Sequence, residues 1–119
     1  MKVDLTKKIP EANIQAEFYK QCKDAGINII LEYATKYYDP SFYGQKSGRR
    51  KKCRFDCLIY DDDRNAICIV EIKSRLYGSS PKMLKTKQIK RYESFGIPVL
   101  LIANMNEVAV GVNKVKKLL

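Results

Sequence analysis

Histidine is absent from this chain. That omission removes every Ser/His/Asp or Cys/His nucleophile system and any histidine general base. It also means that a structural zinc site would need all four cysteines, and Cys22, Cys53, Cys57 and Cys68 show no CxxC spacing. In their apolar surroundings they read as reduced core thiols. Long apolar runs are missing too: none approaches the roughly 20 residues of a membrane-spanning helix. The opening Met1-Lys2-Val3-Asp4-Leu5 has no signal-peptide core, so the expectation is a soluble, cytoplasmic protein with no membrane association. Acidic residues are scarce, 13 Asp and Glu against 23 Lys and Arg, which leaves a formal charge of +10 and a pI near 9.5. A surplus of that size points to a polyanionic partner, nucleic acid first and an anionic membrane surface second. What chemistry remains must run on carboxylates, lysine, tyrosine and metal. At 119 residues, with no internal repeat, the chain suits one domain spanning 1–119 and is too short for two.

The stretch 54–73 carries the candidate chemistry. In Ile67-Cys68-Ile69-Val70-Glu71-Ile72-Lys73 an extended strand places Ile67, Ile69, Glu71 and Lys73 on one face, so a carboxylate and an ammonium become neighbours. Upstream, residues 53–60 read as a second strand, and Asp61-Asp62-Asp63-Arg64-Asn65 is a polar turn that folds the two antiparallel. Asp56 then faces Glu71. Two carboxylates within apolar strands carry a desolvation cost that a divalent cation between them would remove. The ordinary reading stands beside this one: Glu71 and Lys73 as a solvated pair on an edge strand, and Asp56 near a strand end.

A helix is expected from Pro10 to its glycine stop at Gly26, with Ile14, Phe18, Cys22 and Ala25 on the apolar face. At about 100° per residue, Glu11 and Gln15 share that face and Glu17 lies off it. Glu11 is therefore either a first-turn carboxylate favoured by the helix N-terminus or a third acidic group entering the site. Residues 27–33 read as a strand. Residues 36–52 read as a loop with Tyr37, Tyr38, Phe42 and Tyr43 ahead of Arg49-Arg50-Lys51-Lys52, suited to phosphate contact and base stacking. A second irregular basic connection, 74–81, precedes a helix over 82–95 that carries Leu84, Gln88, Arg91 and Phe95 on one stripe with Tyr92 at its margin. Val99-Leu100-Leu101-Ile102-Ala103 reads as a parallel strand buried on both faces, reached by a crossover. A turn at 104–107, a short strand over 108–112 and a basic tail over 114–119 complete the chain.

The order helix, three strands, helix, strand gives an α/β fold with a small central mixed sheet and helices packed on it. Asp56, a turn, then Glu71-Ile72-Lys73 resembles the PD-(D/E)XK nuclease superfamily, whose restriction-endonuclease-like core has this αβββαβ order. Glu11-Ala12-Asn13-Ile14-Gln15, with Gln88 and Gly96-Ile97-Pro98-Val99, is similar to the virus-type replication-repair nuclease (VRR-NUC) branch, and archaeal Holliday-junction resolvases are similar in size and layout. The likeness covers residues 10–103. It implies a metal-dependent DNA endonuclease that hydrolyses phosphodiester bonds in replication, recombination or repair. Carried over, Asp56, Glu71, the backbone carbonyl of Ile72 and Glu11 would hold Mg²⁺ or Mn²⁺; Lys73 would orient or activate the attacking water; Gln88 would position Lys73 or the phosphate. Phe55 stands where the family name has proline, and Glu17 is the reserve for Glu11.

Nucleic-acid contacts are expected from Arg49, Arg50, Lys51, Lys52, Arg54, Arg75, Lys87 and Tyr92. A small domain has little surface for reading a long base sequence, so recognition of branched or nicked DNA by backbone and shape is expected. RNA is a further candidate substrate, a homodimer is expected from size and the likeness to resolvases, and a non-catalytic nucleic-acid-binding module is the alternative function.

Overall fold

The computed structural model describes residues 1–2, 10–38, 50–73 and 92–119. Its elements are α1 (Pro10–Asp24), β1 (Asn28–Tyr38), β2 (Arg50–Tyr60), β3 (Ala66–Ile72), β4 (Val99–Ile102) and α2 (Val108–Leu118), the last entered through a 3₁₀ turn at Met105–Glu107. The strands form one mixed sheet in the order β1-β2-β3-β4, antiparallel except for the parallel β3–β4 pair. The expected mixed sheet with packed helices is what the chain adopts.

Proline occupies the first position of α1, where its missing N–H costs no helical bond. At the other end Gly26 takes φ +74°, donating to Lys23 O at 3.0 Å while Ile27 donates to Cys22 O at 2.9 Å. This six-to-one, five-to-two pattern closes the helix and drops the buried Ile27 beside Cys22. Ile14, Phe18 and Cys22 form the buried stripe, whereas Ala25 lies past the helix end and is exposed.

α1 and α2 lie side by side on one face of the sheet. Their inner residues, including Phe18, Val108, Val112 and Val115, pack on Cys57, Ile59, Cys68, Val70 and Ile72. A Cβ at Gly111 would stand 2.9 Å from Ile102 Cδ1 and 3.4 Å from Phe18 Cε2, so glycine lets α2 approach that closely. The opposite face is covered by Tyr92, Phe95, Ile97 and Val99 packed on Cys53, Phe55, Leu58 and Ile69.

Several expectations change. The valine-rich residues 108–112 are helical, and so is the expected basic tail. Val108, Val112 and Val115 recur at helical spacing, and burying that stripe outweighs the β preference of valine. Asn104 starts the turn: its Oδ1 accepts from Glu107 N at 3.1 Å, and Glu107 Oε2 accepts from Ala103 N at 2.7 Å. The expected loop over 36–52 is shorter, because β1 and β2 continue as a ribbon through the pairs Lys36↔Lys52, Tyr37↔Lys51 and Tyr38↔Arg50. Ile67 packs on the helix side, away from Ile69, because a β-bulge beside Ile59 and Tyr60 shifts the register there. β4 is an edge strand, so of its four residues Ile102 alone is fully buried. Of the helix expected over 82–95, the part through 91 lies outside the described residues; Tyr92 and Glu93 are helical, and Gly96 at φ +70° turns the chain out.

Candidate active site

The site begins where two strands turn over. Leu31 and Cys57 are paired and face the helices; Tyr33 and Phe55, the pair two residues further along the ladder, stack on the opposite face with ring centroids 6.4 Å apart. In a regular strand residues two apart share a face, so β1 and β2 both rotate at the intervening residues, Glu32 and Asp56. Glu32 absorbs the rotation on β1 with φ +53°, a left-handed value rare for a side chain of this kind.

Asp56 is held at both ends. Its backbone carbonyl accepts from Gln15 Nε2 of α1 at 2.8 Å, and its carboxylate Oδ2 accepts from Ile72 N of β3 at 2.8 Å. The register that pairs Cys57 with Val70 sets Asp56 across from Glu71, the relation expected from strand alternation.

Glu71 is 2% exposed and is the buried acid of the core. Tyr92 Oη donates to its Oε1 at 2.7 Å. Burial, and next the side-chain hydrogen bond to Asp56, push the Glu71 carboxyl up to about 8 against the opposing pull of Tyr92 and of the positive charge on Lys73. At neutral pH the Glu71 carboxyl therefore favours its protonated form. Lys73, half-buried just past β3, stays tied to the sheet by donating from its N–H to Ile102 O at 2.9 Å.

In front of Asp56 lies a cleft of about 190 Å³ lined by Glu11, Ala12, Gln15, Glu32, Asp56 and Ile72. Glu11 thus reaches the cleft; Glu17 instead accepts from Gln21 Nε2 at 3.0 Å along its own helix. Glu71 lies behind Asp56 and does not line the cleft. No family model, no curated protein and no solved structure matches the chain. The site is therefore read from its own geometry.

The remaining site candidates divide. Lys52 and Arg54 are exposed, and Arg54 Nη1 lies 3.8 Å from Glu32 Oε2. Arg50 and Lys51 lie on β2 rather than in a loop. Tyr92, expected at the nucleic-acid surface, is instead 2% exposed, set edge-on to Phe55 at 5.2 Å; its position on the sheet side of the helix turns it inward to Glu71. Arg49, Arg75, Lys87 and Gln88 lie outside the described residues. Glu32 is the member sequence reasoning missed, and Tyr92 was expected in a different role. Glu32 had a signal, an acid in the apolar run Ile29-Ile30-Leu31.

The acidic side chains lining the cleft, Glu11, Glu32 and Asp56, offer carboxylate oxygens, a type of ligand that suits Mg²⁺ or Mn²⁺. Among the described residues no three acidic or thiol side chains gather closely enough to hold an ion by themselves. The fit thus rests on Asp56 and Glu11 at the cleft, which Ile72 also lines, with Glu71 hydrogen-bonded behind Asp56. The four cysteines are buried, Cys22, Cys57 and Cys68 in the helix-side core and Cys53 on the other face. Burial first, then the neighbouring Cys68, raises Cys22 to about 12. Among the described residues no helix is long and apolar enough to cross a membrane.

Proposed function

We propose that this protein is a Mg²⁺- or Mn²⁺-dependent nuclease that hydrolyses phosphodiester bonds of DNA, selecting branched or nicked forms in replication, recombination or repair. The observation that carries the reading is the Asp56–Glu71 pair, two carboxyl groups hydrogen-bonded to each other, with Asp56 lining a cleft beside Glu11 and Glu32 and the charge of Lys73 acting on Glu71. A binding module gains nothing from acids placed beneath a basic surface; a phosphodiester hydrolase needs them.

Asp56, Glu71, the Ile72 carbonyl and Glu11 are the groups that would hold the ion. A bound divalent ion supplies Lewis acidity to the phosphate and lowers the pKa of a water. Lys73 orients that water and offsets charge developing on the phosphate. Exposed Lys52 and Arg54 contact the nucleic-acid backbone, and the overall charge of +10 draws the substrate in. The chain is proposed to act as a homodimer, which sedimentation at working concentration tests directly.

The experiment is cleavage of labelled single-stranded, duplex, nicked and four-way-junction DNA in Mg²⁺, Mn²⁺ and EDTA, with Asp56→Asn and Lys73→Ala beside wild type. Metal-dependent cutting is expected, reduced by each substitution by about 10² or more. Tight binding with every DNA and RNA left whole would return the function to a non-catalytic nucleic-acid-binding module.

A further inference from the structure

Gln15 and Glu32 belong to no part of the chemistry assigned above, yet they meet at the cleft. One nitrogen, Gln15 Nε2, donates both to Asp56 O at 2.8 Å and to Glu32 Oε1 at 3.0 Å. Both partners only accept, so the amide has one satisfactory orientation, nitrogen toward the strands. Glu32 fixes that orientation from a backbone conformation of φ +53° that its own side chain disfavours. The two strands leave their regular alternation at this pair of opposed residues, which frees the Asp56 carbonyl to accept from α1 instead of from its neighbour strand.

We propose that Gln15 and Glu32 are positioning residues for Asp56, Glu32 holding the Gln15 amide and Gln15 holding the Asp56 backbone, so that the carboxylate is set against Ile72 and Glu71. The inference rests on the nuclease reading for its catalytic consequence. It explains a strained carboxylate at a place where glycine would satisfy the backbone better.

That contrast supplies the test. If Glu32 serves merely as a turn residue, Glu32→Gly relieves the left-handed strain and leaves cleavage intact. If it positions Asp56, Glu32→Gly keeps or raises Tm while kcat falls between about tenfold and a hundredfold at unchanged KM. Glu32→Gln retains an acceptor and restores most of the rate, and Gln15→Met, which removes both donated bonds, repeats the loss. Unchanged kcat in Glu32→Gly overturns the proposal. So does loss of stability together with activity in both Glu32→Gly and Gln15→Met, which makes the pair structural. Should wild type cleave no nucleic acid, the nuclease reading fails by itself, and the positioning is judged by NMR. The Gln15 side-chain amide and the Asp56 carbonyl carbon must then both shift in Glu32→Gly, and resonances that stay in place overturn it.

Discussion

Replacing Glu71 with glutamine should change how stability depends on pH, and the sign follows from burial. In the folded chain the Glu71 carboxyl is raised to about 8, chiefly by burial and next by its hydrogen bond to Asp56; its ordinary value is 4.5. Below the lower value both states are protonated and the stability is fully present. As pH rises, the unfolded chain releases this proton first while the folded chain keeps it, so stability falls by up to about 1.4 kcal/mol per pH unit until the folded carboxyl also ionises near 8. Across that window the loss is on the order of a few kcal/mol, a sizeable part of the roughly 5–15 kcal/mol that holds a domain folded. The chain has no histidine, and its buried thiols begin to ionise in the unfolded chain only above about pH 8, so the window below that is clear. The assay is urea unfolding in EDTA from about pH 5 to about pH 7.5. Wild type should lose stability steadily, and Glu71→Gln, which keeps the shape and an acceptor for Tyr92, should be nearly flat. Parallel curves for the two proteins would refute the assignment of a buried, protonated Glu71. Added Mg²⁺ should stabilise wild type more as pH rises, because a cation binds the carboxylate and not the acid.

Three further outcomes follow from the packing. Arg64 closes the β2–β3 turn at φ +67°, its N–H donating to Asp61 O at 3.0 Å, so Arg64→Gly should keep the turn and stabilise by about 0.5–1 kcal/mol, a rise in Tm of about 3–5 °C. Phe18, with no exposed surface between α1, α2 and the sheet, should cost about 3–5 kcal/mol as Phe18→Ala in chemical denaturation. Asn104→Ala removes the side-chain acceptor at the start of the 3₁₀ turn and should cost about 1 kcal/mol; an unchanged midpoint would show that Glu107 alone holds that end.

Much of the architecture was legible because strand alternation and turn chemistry are local. The polar run Asp61 to Asn65 does reverse the chain, with Asp61 Oδ1 accepting from the N–H of Asp63 and of Asn65 at 2.9 and 2.8 Å. Pairing β2 with β3 around that turn puts Asp56 across from Glu71, and the apolar run at Val99 lies parallel to β3. The α2 helix was legible as well and was missed: Asn104 and Glu107 are a helix-start signature, and Val108, Val112 and Val115 have helical spacing. Valine's β preference was given too much weight against that period.

What the sequence by itself determined is the chemistry available to the protein: carboxylates and lysine on neighbouring strands, no histidine, and a large positive charge. Which of those groups meet was decided in three dimensions. Glu32 reaches the cleft because two strands rotate together at one point, Tyr92 turns inward because its helix end packs on Phe55, and Glu71 keeps its proton because the core excludes water around it. Backbone rotation, packing and desolvation depend on neighbours distant along the chain, and no local pattern of residues encodes them.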